Sequence, residues 1–147
     1  MDQQKMEQRI FALFSAEGGL NCAEAVLAAA LEQTDLPPGG LLPRIATCFG
    51  GGVGRCKEEM CGALSGGIMA VGCLLGRGEP GANWDRAAAV AAELRARFAA
   101  ANGGTRCGDI LERLGPQQNL DKCRQLSSRV AGLLCASLAA SGAAAGA

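Results

Sequence analysis

Residues 56–76 read CKEEMCGALSGGIMAVGCLLG, and the fold turns on how this run is taken. From Met60 to Gly76 it holds no charged residue, yet it falls short of the ~20 apolar residues that cross a bilayer. We read it as a buried helix from about Cys56 to Leu75 at the centre of a bundle; a membrane span is the weaker alternative. Gly62, Gly66, Gly67 and Gly72 each cost a helix roughly 1 kcal/mol relative to Ala. That cost makes sense if another backbone, or a cofactor, comes very near this face. Tight helix crossing of the small-xxx-small kind explains the glycines best.

Helical signals continue on both sides. Met6, Ile10, Leu13 and Phe14 recur at helical spacing within Gln3 to Ser15, and Gly18-Gly19 ends that helix. Asn21 is a good N-cap, with Glu24 placed to complete a capping box, for a helix through NCAEAVLAAALEQ that stops before TDLPPGG. Pro43 suits the first turn of a short helix reaching Cys48. Further on, Asn83 caps a helix running to Asn102, CGDILERL forms a short one, and the last runs from near Asn119 to Ala140. No segment alternates apolar and polar residues as a half-buried strand does. The expectation is an all-α fold: one compact bundle of five to seven helices over residues 1–140, with a central Gly-rich helix and a flexible Ala/Gly tail over 141–147.

Composition narrows the chemistry. Fourteen basic residues balance 14 acidic ones, so there is no electrostatic call for nucleic acid or an anionic membrane. Aromatics are 3% of the chain, too few for base-stacking platforms. There are 8 Cys and 0 His, which removes Ser/His/Asp and Cys/His catalysis and leaves thiolate-rich ligation as the available metal chemistry. The N-terminal MDQQKMEQRIFALF lacks a continuous apolar core, so we expect a cytoplasmic protein whose cysteines rest as thiols or bind metal.

Cysteine placement is the informative feature. Cys22 follows the N-cap Asn21, and Cys107 and Cys123 fall in the first turn or so of their helices, where free N–H groups and the dipole favour a thiolate. The plainer reading of each is a small buried apolar side chain. Cys61 opens the glycine run, where little bulk shields it. FGGGVGR looks like a phosphate cradle, but it follows a helix and lacks the G-x-x-x-x-G-K-[ST] order. We read it instead as a turn allowing close passage of the chain beside the cysteine site. Arg55 and Lys57 are placed to hold an anionic cluster or substrate, or are simply solvated. Cys48, Cys73 and Cys135 are expected to pack as small apolar side chains. Cys56 is a possible extra ligand or resolving thiol, which needs a partly unwound helix start because residues five apart diverge on a helix.

NCAEAVL around Cys22, then FGGGVGR, CGALSGGIM from Cys61, and single cysteines at Cys107 and Cys123 together resemble the family of redox-active proteins labelled C-GCAxxG-C-C. The resemblance implies that Cys22, Cys61, Cys107 and Cys123 form the functional set. It also implies a bacterial, often anaerobic setting near transporter genes, and it supplies a site without a reaction. Three readings follow: Cys22, Cys61, Cys107 and Cys123 as ligands of an iron–sulfur cluster for electron transfer; thiol–disulfide redox, although no C-x-x-C is present; or soft-metal (Cu or Zn) binding in association with a transporter. Four dispersed thiols without histidine resemble a ligand set more than a catalytic pair, which puts the cluster first. A redox or transporter partner and a homodimer are both compatible with this; whether the chain is an enzyme stays open.

Overall fold

CAEAVLAAAL is apolar all round apart from Glu24, and a helix of that kind has to be enclosed. A computed structural model, which describes residues 1–36 and 42–142, shows how this is done. Seven helices follow one another in the described residues: α1 (Gln3–Leu13), α2 (Cys22–Leu31), α3 (Leu42–Thr47), α4 (Gly62–Leu75), α5 (Asp85–Asn102), α6 (Cys107–Leu114) and α7 (Asp121–Ala140). The all-α bundle is as the sequence predicts. Only two isolated bridges represent β-structure among the described residues, Phe14 with Leu20 and Met60 with Arg106. No helix there is long and apolar enough to cross a membrane.

The centre is a pair of helices. α2 packs on α4, α1 lies along α7, and α5 closes the other side of α4 and α7. The outer helices are amphipathic, presenting Met6 and Ile10 from α1 and Val90, Leu94 and Phe98 from α5 at helical spacing. Burying each large side chain of this kind contributes roughly 1.5–3 kcal/mol. Glycine sets how near the central helices come. A Cβ on Gly66 would collide with the carbonyl oxygen of Ala23 in α2, and one on Gly67 would lie 3.1 Å from Leu94 Cδ2 and 3.2 Å from Val130 Cγ1. Gly66 therefore serves the α2–α4 crossing.

Element boundaries depart from expectation in three places. α4 begins at Gly62 rather than near Cys56, because Gly51, Gly52, Val53, Gly54 and Arg55 are successively left-handed and Lys57 is as well. The three side-chain-bearing residues among these each cost roughly 1–2 kcal/mol. The turn is held by Gly54 N–H to Cys48 O at 2.7 Å, Arg55 N–H to Gly50 O at 3.1 Å and Lys57 N–H to Gly51 O at 3.0 Å. α5 begins one residue later than expected, though Asn83 still acts there, accepting the Asp85 N–H at 2.7 Å. α7 begins after Asn119 and Leu120, both left-handed. Of the expected tail, residues 141 and 142 form a turn on α7, and 143–147 lie outside the described residues, as does 37–40 of the turn TDLPPGG.

Two glycines of one helix should respond oppositely to the same change. Gly66→Ala is expected to lower the unfolding free energy by about 1–3 kcal/mol through forced separation of α2 and α4. Gly72→Ala, with nothing within 4 Å of the new methyl, is expected to raise it by up to about 1 kcal/mol. Urea denaturation of the two variants checks both signs.

Candidate functional site

Asn21 builds the first corner. Its side-chain oxygen accepts the N–H of Ala23 at 3.0 Å and of Glu24 at 3.1 Å, while Glu24 accepts the Asn21 N–H at 2.8 Å, completing the capping box. The Asn21 amide also donates to Thr47 O at 3.0 Å, and Gly50 packs so closely that a Cβ there would lie 2.7 Å from Asn21 Cγ. Cys22 is thereby fixed as the first residue of α2. Its sulfur takes the space that a side chain at Gly62 would need.

A short two-stranded contact builds the second corner. Cys61 N–H donates to Thr105 O at 2.7 Å and Cys107 N–H donates to Glu59 O at 2.8 Å, on either side of the Met60–Arg106 bridge. Strand alternation sends Cys61 and Cys107 to the same face of this ribbon, opposite Met60 and Arg106. Arg106 ties the outer face down through Glu58 and, at 2.6 Å, Asp109. Gly52 fits behind Cys107: a Cβ there would lie 2.6 Å from the Cys107 Cβ. Cys61 is the N-cap of α4 and Cys107 the first residue of α6.

Cys123, the third residue of α7, completes the set. Gln117 grips it at two points, accepting the Cys123 N–H at 3.0 Å and donating its amide to the Cys123 sulfur at 3.1 Å. Cys22, Cys61, Cys107 and Cys123 all line one cavity of about 820 Å³. Four helix starts from four parts of the chain thus meet at one wall. Among the described residues, no three His, Cys, Asp or Glu side chains gather closely enough to hold one metal ion.

The expectation that helix starts favour the thiolate at Cys22, Cys107 and Cys123 is not met, because burial outweighs the dipole. Burial pushes Cys22 up, against the N–H groups of Gly51, Ala23, Cys22 and Ala63, which favour the anion. Cys61 is pushed up to about 12 by burial and by repulsion from Cys22, with the N–H of Ala63 opposing. Cys107 rises to about 11 by burial and repulsion from Cys22 and Cys123, opposed by Lys57. Cys123 rises by burial, opposed by Gln117. These four are thiols at neutral pH.

The remaining cysteines divide. Cys73 and Cys135 are half-buried against the core, as expected of small apolar side chains. Cys48 is not packed away as predicted; it is exposed and lines the cavity, because α3 ends just before it. Cys56 sits on an unwound segment, exposed and apart from the cavity lining, with its thiol donating to Gly52 O at 2.8 Å. Sequence reasoning missed Gln117, for which no local signal exists. Ser127, on the cavity wall, is one helical turn beyond Cys123, and that spacing was available to find it.

Fold and site together define a small all-helical protein with four helix-start thiols, and Cys48 beside them, converging on a cavity. The chain matches the family model described as "Putative redox-active protein (C_GCAxxG_C_C)" over residues 20–143, and it belongs to that family. Neither a curated protein nor a solved structure matches it. The matched region contains all five cysteines that line the cavity, Cys48 included.

Exposure orders the thiols for alkylation: mass spectrometry after brief iodoacetamide treatment near pH 8 should find Cys48 and Cys56 modified ahead of Cys61 and Cys107. The pH dependence of stability has a definite sign. Cys61 ordinarily loses its proton near 9.0 but keeps it to about 12 when folded. The folded chain therefore binds more protons in that window, so this contribution is complete below pH 9 and lost as pH climbs toward 12. In chelator-treated, reduced protein, Cys61→Ala should flatten the fall of unfolding free energy between pH 9 and 11. An unchanged slope would contradict the burial of this thiol.

Proposed function

We propose that Cys22, Cys61, Cys107 and Cys123 act together as the ligands of an iron–sulfur cluster that serves electron transfer. The supporting observation is that four thiols, each delivered by a different helix start, line one cavity. A dithiol reaction needs two such groups; cluster ligation uses four. The donor chemistry also fits, since the chain offers eight thiols and no imidazole. A single ion would draw its sulfurs to about 2.3 Å each. Among the described residues no three His, Cys, Asp or Glu side chains gather closely enough to hold one metal ion, which favours a larger centre over one zinc or copper ion.

When bound, such a cluster supplies one-electron chemistry. The chain's own groups would hold and tune it. The N–H groups of Gly51, Ala23 and Ala63 favour negative charge on the Cys22 sulfur, and those of Ala63 and Leu64 on Cys61. The Gln117 amide donates to Cys123. Hydrogen bonds of this kind to ligand sulfur raise a reduction potential. Gly62 and Gly52 leave Cys22 and Cys107 room at the wall.

One observation favours a second reading. The Cys22 sulfur lies against Gly62, beside Cys61, and the N–H of Ala63 serves both thiols. This pair suits a reversible disulfide, in which an incoming disulfide accepts two electrons and leaves as two thiols while a Cys22–Cys61 bond forms.

Anaerobic purification, visible absorption, and iron and acid-labile sulfide analysis separate these readings. The cluster reading expects broad charge-transfer bands with iron and sulfide, abolished by Cys61→Ser and retained in Cys135→Ser. Equal sensitivity of the two variants would remove the site assignment. A metal-free protein whose peptide map shows a Cys22–Cys61 crosslink after mild oxidation would replace the cluster by the dithiol.

A further inference from the structure

The cavity offers more than its sulfurs. Phe14, Ile110 and Leu126 line it with hydrocarbon, while Arg55 and Lys57 line it with positive charge. Among the described residues no aspartate or glutamate lines it, although the chain has 14. Neither Arg55 nor Lys57 has an ion-pair partner there, in contrast to Arg106, which Glu58 and Asp109 neutralise outside. Both cations stand on left-handed backbone, so their placement is maintained against a conformational cost. Ser127 stands on the same wall, 1% exposed. The volume, about 820 Å³, lies within the roughly 300–1,000 Å³ range of pockets for small organic ligands.

We propose that this cavity binds a small organic anion with an apolar body, its charged group held on the Arg55–Lys57 side and its body against Phe14, Ile110 and Leu126. This deepens the redox reading by naming the class of molecule brought to the thiols. It rests on the cysteines lying in this cavity, and not on what they hold. An inorganic anion would leave the hydrocarbon wall unused, and a neutral ligand would leave both cations unpaired.

Calorimetric titration of the reduced, full-length chain with octanoate, octanol and octylamine tests it. Octanoate is expected to bind at least fivefold more tightly than octanol, and octylamine not to bind. Arg55→Gln with Lys57→Gln should weaken octanoate at least fivefold and leave octanol unchanged, with helical content and melting temperature retained. Octanoate should also slow iodoacetamide labelling of Cys48, on the cavity wall, at least threefold while leaving Cys56, outside it, unaffected. Equal affinity for octanoate and octanol, insensitivity to the charge variants, or no protection of Cys48 would each overturn the proposal. Displacement of octanoate by an equal concentration of sulfate would overturn the apolar part. Absence of iron and sulfide with octanoate binding intact would sink the cluster alone, whereas a loaded cluster without octanoate binding would sink this inference alone.

Discussion

Helix α4 has to come so near α2 that the sulfur of Cys22 and the carbonyl of Ala23 fill the spaces that side chains at positions 62 and 66 would need. Gly62 and Gly66 are one turn apart and share a face, so the two contacts are a single constraint. Every larger feature of the site follows from it. Cys22 can lie beside Cys61 only while the helices stay this close, and the central pair is the surface against which α1, α5 and α7 bury their apolar faces. The spacing in CGALSG is thus the imprint of one helix start on another helix.

The electrostatics of the site are a contest between two effects that both grow on burial. Enclosure strengthens the pull of backbone N–H groups on sulfur, yet it penalises the thiolate and sharpens repulsion between neighbouring thiolates. At Cys61 and Cys107 the penalty wins clearly. A group of thiols so placed stays protonated, joins in a disulfide, or is neutralised by metal, and a cation among the sulfurs would reverse the sign of the balance. Each of these outcomes is linked to proton or electron movement, which is consistent with membership of a redox-active family.

The glycine loop between α3 and α4 has a structural task. Its left-handed run turns the chain so that Gly50 meets the Asn21 cap and Gly52 meets Cys107. One loop therefore touches two cysteine corners. It also brings Cys48, Arg55 and Lys57 to the cavity.

The helices were legible because their signals are local. Periodic apolar residues, the Asn21–Glu24 capping box and CGDILERL depend on neighbours a few positions away, and the predicted elements stand where those patterns lie. The start of α4 was misread because nothing within 56–61 announces that Met60 pairs with Arg106 across the fold. The protonated state of the cysteines was misread for a related reason. A helix dipole is visible in sequence, but burial and the company of other thiols depend on three further chain segments. The sequence alone determined a helical chain with thiols at helix starts and no histidine to assist them. Only the tertiary structure decided that Cys22, Cys61, Cys107 and Cys123 share one cavity with Cys48, Arg55 and Ser127, because residues so far apart along the chain meet only after the central helices have closed on their glycines.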